Sequence, residues 1–182
     1  MLAAALVVTI RVYDVYGLSS DTRQEALTLA AEALAHAGVE AVIVDCSATP
    51  AATPCKLGLG DGELILRILR LPKDGAHVLG DAIVREGPAP NTIATVYAAA
   101  IAERSRRTGT RLATIVGRVA AHEIGHLLLG TSVHAEHGLM RPSWDLQRLE
   151  RGDWDFTSAD AATIRARLQQ HAAAALVARA AP

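Results

Sequence analysis

The chain has 182 residues, 51% of them hydrophobic but only 3% aromatic, with 18 basic and 19 acidic residues and a formal charge of −1. That length suits one compact domain, and a core of Ala, Val, Leu and Ile excludes a disordered chain. The near-neutral balance gives no general attraction to phosphate backbones or anionic membranes.

The opening MLAAALVVTI is apolar, but no Lys or Arg precedes it, so the charged region of a signal peptide is missing. The alternation of Val8, Ile10 and Val12 with Thr9, Arg11 and Tyr13 predicts a strand over about 6–14. Ser19, Ser20 or Asp21 then caps a helix over about 21–37, with Leu27, Ala30, Ala31, Leu34 and Ala37 on one stripe and Gly38 at its stop. VEAVIVDC, from residue 39, reads as a buried strand, and ELILRIL at 63–69 as another.

Between them lie the chain's two cysteines, Cys46 and Cys55, around the loop SATPAATP. A bridge would close about ten residues and contribute roughly 2–3 kcal/mol in the chain-entropy model; two reduced thiols are the alternative. Their spacing is not the tight one of structural zinc sites.

Pro72 to Gly75 predicts a turn, AHVLGDAIV an edge strand or loop, and GPAPN at 87–91 a second turn. TIATVY at 92–97 reads as a short strand, 98–107 as a helix, and about 111–129 as a longer one. A Gly, His and Pro-rich stretch runs to about 156, and a capped helix from Thr157 or Ser158 extends to about Ala180. No run of about 18 apolar residues marks a membrane span.

The longer helix contains VAAHEIGHLLLG, which places His122, Glu123 and His126 in the pattern H-E-x-x-H. Residues four apart lie about 40° apart around a helix and roughly 6 Å along it, so both imidazoles reach one metal ion. Glu123 is rotated aside, where its carboxylate reaches a metal-bound water. With seven His in the chain, chance produces the pattern roughly 0.01 times per shuffled sequence. The helix is apolar almost all round, and two imidazoles and a carboxylate buried there are costly without a partner that zinc would supply. A catalytic zinc needs a third protein ligand and an open position; in GTSVHAEHGLMRP, His134 is the natural third ligand, with His137 and Glu136 the other candidates.

These residues resemble the metzincin metallopeptidases, and among them the matrixin-like branch, whose pattern is H-E-x-x-H-x-x-G-x-x-H followed by a methionine turn. His122, Glu123, His126 and Met140 match; Gly130 falls one residue late, and Ser132 stands at the third histidine position, with His134 two residues on. Nearly the whole chain is also similar to a group of small bacterial metzincin-like proteins sharing the RVYDVYGL opening, the DC…PC loop and HEIGHLLLG.

The resemblance implies an α+β zincin fold: a mixed twisted sheet with a backing helix, a central zinc-binding helix, and a C-terminal subdomain with the methionine turn and a terminal helix. It divides a single catalytic domain, 1–182, into subdomains 1–130 and 131–182. It further implies Zn2+ as cofactor, a zinc-dependent endopeptidase activity with Glu123 as general base, Met140 as the floor beneath the metal, and a Cys46–Cys55 disulfide. An edge strand would pair with extended substrate. The candidate is Thr92 to Tyr97, which would bring Thr95 and Tyr97 to the cleft, with an internal strand the alternative; Trp144 is a candidate for the specificity pocket, with a buried anchor the alternative.

The expected partner is a peptide or protein substrate, not nucleic acid or membrane, and the chain is expected to be a monomer. An exported protein is implied, with a cytosolic one the alternative. A non-catalytic scaffold in which zinc only stabilises the fold is the competing reading, and Glu123 argues against it. A deformylase-like zinc amidase lacks its cysteine motif here. His36, His77 and His171 are isolated, and Arg104, Arg106, Arg107 and Arg111 read as solvated charge.

Overall fold

The computed structural model describes residues 5–47, 53–71, 78–85, 91–144 and 154–180. The element order is β1 (Leu6–Asp14), α1 (Ser20–His36), β2 (Val39–Asp45), a 3-10 turn (Thr53–Lys56), β3 (Glu63–Leu69), β4 (Gly80–Ala82), β5 (Ile93–Tyr97), α2 (Ala98–Thr108), α3 (Leu112–Leu129) and α4 (Ser158–Ala180). The predicted turn at 72–75, and all but Asn91 of the one at 87–91, lie outside the described residues.

The strands form one sheet in the order β2-β1-β3-β5-β4. The first four run parallel and β4 is antiparallel to β5. Alternation along the strands turns Val8, Ile10 and Val12, Leu64, Leu66 and Ile68, and Ala94 and Val96 to one face, where they are buried beneath the helices. Helix α1, capped by Ser19 through its side chain to the Thr22 N–H, packs beside α3 on that face.

Helix α3 runs through the middle of the molecule. By composition its 18 residues are apolar and long enough to cross a bilayer, but 78% of that stretch is buried inside the protein, the environment of a core helix. Helix α4 clasps the far side: Arg165 Nη1 donates to Ala37 O at 2.8 Å and Arg167 Nε to Leu128 O at 3.1 Å. The architecture is the α+β arrangement expected from the sequence.

The second face of the sheet carries a stapled loop. Cys46, directly after β2, is bridged to Cys55 with Cα atoms 5.5 Å apart. Arg11, 4% exposed, reaches from β1 to the segment that follows the bridge, donating to Leu57 O and Gly58 O at 2.8 and 2.9 Å and pairing with Glu63. A guanidinium buried on a sheet face is stable only with acceptors around it, and that segment provides them.

One expectation is corrected. Thr92 to Tyr97 is not the sheet's edge: β5 lies between β3 and β4, and the edge belongs to Gly80–Ala82. Strand β5 is apolar because it pairs on both sides. Thr95, one strand in from β4, is wholly buried and accepts from Arg67 Nη2, so it is covered rather than open to a substrate. Tyr97 is buried as well and donates its hydroxyl to Asp81 of the edge strand.

Candidate metal centre

His122 and His126 project from one side of α3, a turn apart, both 5% exposed. Their outer nitrogens are engaged by main-chain oxygens: His122 Nδ1 lies 2.8 Å from Leu139 O and His126 Nδ1 2.8 Å from Thr131 O. The second acceptor is positioned by the helix end. Gly130 takes a left-handed conformation at φ 65°, its N–H and that of Thr131 close on His126 O, and the chain turns back so that Thr131 O faces the ring.

A carbonyl can only accept, so each Nδ1 carries the proton and each Nε2 presents a bare lone pair. The two Nε2 atoms lie 3.0 Å apart. Two lone pairs at that distance repel unless a cation lies between them, and about 3.3 Å is the separation expected of two nitrogens on a tetrahedral zinc with 2.0–2.1 Å bonds. Burial pushes His122 down to about 4, with the Leu139 carbonyl opposing and the neighbouring imidazoles adding to the fall; burial likewise lowers His126. Neutral imidazoles are the form that binds metal.

The loop after α3 returns His134 to this pair. Its ring centroid lies 5.2 Å from that of His122 and 4.9 Å from that of His126. One potential ligand atom from each of His122, His126 and His134 falls within 4.8 Å of the others. His137 and Glu136 are not part of this group; Glu136 lines an open hollow of about 540 Å³ beside His134, with Arg141, Pro142 and Ser143.

Glu123 is buried, and burial pushes its carboxyl up to about 8, with the charge of Asp81 adding to the rise. It rests against the edge strand: a methyl group built on Gly80 would fall 2.8 Å from Glu123 Cγ and Oε1. Only glycine leaves room there for the carboxylate.

Met140 is buried beneath α3. A methyl group built on Gly125 would lie 2.6 Å from Met140 Sδ and from Phe156 Cε1, so the sulfur packs against the helix between the two histidines. Trp144 stands edge-on to His122 at 5.3 Å between centroids, donates from Nε1 to Leu139 O at 3.2 Å, and meets Trp154 at 5.6 Å.

Sequence reasoning did not find Gly80, Asp81, Leu139 O or Thr131 O. The glycine within AHVLGDAIV was the available signal for the first two, since a glycine inside a strand marks a close approach. The carbonyls have none, because every residue carries one.

No protein-family model matches the chain, and no curated protein matches it in sequence. Among solved structures, it is similar to archaemetzincin from Methanopyrus kandleri, with a TM-score of 0.61 and 14% identity over 93% of this chain and 99% of that one. It is also similar to metalloproteinase-II from Bacteroides fragilis, with a TM-score of 0.54 and 14% identity over 92% of this chain and 54% of that one. At these identities the likeness is one of architecture, and the chain has a metzincin-like fold.

Proposed function

We propose that the protein is a zinc-dependent metalloendopeptidase. The observation that carries this reading is the convergence of three imidazoles, two with their outer nitrogens satisfied and their inner lone pairs 3.0 Å apart, next to a buried carboxylate. Two solved structures of the same fold bear the names archaemetzincin and metalloproteinase.

His122, His126 and His134 would hold the ion. When bound, zinc lowers the pKa of a water toward about 7 and polarises a carbonyl. Glu123 receives the water proton on its carboxylate and delivers it to the leaving amine, as base and then acid. Burial alone favours the protonated acid, and a dication held by the three histidines would draw the pKa back down and leave the carboxylate ionised to take that proton. Leu139 O and Thr131 O fix the tautomers and ring orientations of two ligands, the role such partners play in metal sites. Met140 forms the floor, and its distance from His126 in sequence supports a matrixin-like methionine turn. Extended substrate pairs with the free edge of β4, whose short antiparallel run passes Glu123.

The test measures zinc content and cleavage of an unfolded protein by wild type, Glu123→Ala and His134→Ala. Wild type binds zinc and cleaves, Glu123→Ala binds zinc and does not cleave, and His134→Ala binds zinc more weakly. Wild type that binds zinc but cleaves nothing would overturn the peptidase reading and leave a zinc-stabilised scaffold.

A further inference from the structure

The edge strand places one acidic side chain where a substrate strand would lie. Gly80 and Ala82 face α3, whereas Asp81 projects to the opposite face, in register with Thr95. A row runs across that face: Tyr13 opposite Arg67, Arg67 opposite Thr95, and Thr95 opposite Asp81. Arg67 Nη2 donates to Thr95 Oγ1 at 2.7 Å, and the Tyr97 hydroxyl donates to Asp81 Oδ1.

The row ends at Asp81, in the strand that forms the sheet's edge among the described residues. Among the described residues no cation forms an ion pair with it. The Arg67 guanidinium reaches across β5 only as far as the Thr95 hydroxyl and makes no ion pair with Asp81. The hydroxyl of Tyr97 holds the carboxylate in place but leaves its charge. Its neighbour Gly80 is the residue against which Glu123 rests, so a chain added to β4 has the residue opposite Asp81 within one or two positions of the bond beneath Glu123.

We propose that Asp81 is a specificity-determining residue that selects peptides carrying lysine or arginine opposite it, beside the bond to be cleaved. The proposal rests on the peptidase reading and on β4 as the strand that receives substrate. Directly opposed residues of an antiparallel pair share a face with Cβ atoms about 4.5–5.5 Å apart, within reach of a long basic side chain. An opposite charge there is favourable and a like charge unfavourable, and partial burial strengthens both effects.

The experiment uses fluorescent peptides of one sequence in which lysine, norleucine or glutamate is placed at each position in turn. Binding is measured to zinc-loaded Glu123→Ala, which does not turn substrate over, and cleavage to wild type. At one position beside the cleaved bond, lysine is preferred to glutamate by about tenfold, and the preference shrinks as salt is raised. In the Glu123→Ala/Asp81→Asn protein, where asparagine still accepts from Tyr97, the two peptides bind within about twofold of each other. Absence of the preference, or its survival in Asp81→Asn, overturns the proposal. Cleavage without charge preference sinks this inference alone; charge-selective binding without wild-type cleavage sinks the peptidase reading alone; no binding at all sinks both.

Discussion

His122 Nδ1 and the main-chain oxygen of Leu139, the residue immediately before Met140, are 2.8 Å apart. The contact joins α3 to the turn beneath it and commits His122 Nε2 to a lone pair aimed at His126. In metal-free protein those lone pairs oppose each other, so on the proposed reading zinc would stabilise the fold as well as complete the site. With free zinc at about a hundred times its dissociation constant the gain is about 2.7 kcal/mol. Calorimetry in chelator and in zinc reads this directly: the melting temperature rises with zinc in wild type and rises less in His134→Ala. Superimposed wild-type transitions would contradict it.

Glu123→Gln keeps the shape of the side chain but cannot take a proton. Zinc content stays at the wild-type level while cleavage falls by roughly 10²–10⁴-fold, the usual contribution of a positioned base. Parallel loss of zinc and activity would assign Glu123 a structural role instead.

The contact between Gly125 and Met140 is just as specific. Gly125→Ala forces a methyl group to within 2.6 Å of the Met140 sulfur and the Phe156 ring, and overpacking of this kind costs about 1–3 kcal/mol. Chemical denaturation of the variant checks this, and an unchanged midpoint would show that Met140 and Phe156 yield freely.

The zinc helix is legible in the sequence because its signal is local: two histidines at a four-residue spacing, a glutamate beside the first, and Gly130 where the helix stops. The order of β4 and β5 is legible only in part. AHVLGDAIV reads as an edge strand or loop, and Gly80–Ala82 is that edge strand, but it is too short to show a period, and IATVY has the same apolar character whether it closes the sheet or lies one strand in. Trp144 was legible as a neighbour of the site but not as a donor to Leu139 O, the oxygen that also orients His122.

The Cys46–Cys55 bridge closes a short loop, and the acceptors of Arg11, Leu57 O and Gly58 O, follow just after its second cysteine. Replacing both cysteines by serine lowers stability by about 2–3 kcal/mol in the chain-entropy model. Urea unfolding of the double variant and of reduced wild type gives matching decreases. Equal stability of oxidised and reduced protein would show that Arg11 alone holds the loop.

Acid weakens one tie between α1 and β2. Arg23 Nη2 contacts Asp45 at 3.0 Å. Burial raises the Asp45 carboxyl, but the Ser47 N–H and hydroxyl and the Arg23 guanidinium outweigh it and hold the carboxyl below its ordinary 3.8. A depressed folded value means stabilisation that is present above the ordinary value and lost as pH falls through the lower one. The pair is partly exposed, so its share is under about 1 kcal/mol. Asp45→Asn therefore loses less stability than wild type between about pH 7 and pH 3, measured as urea midpoints.

Strand β4 hangs on the sheet by its pairing with β5 and at the same time bears on Glu123 through a single bare α-carbon. On the proposed reading, a peptide docked along that strand would lean on the same piece of backbone against which Glu123 rests. Occupancy of the cleft and alignment of the base would then be one mechanical event.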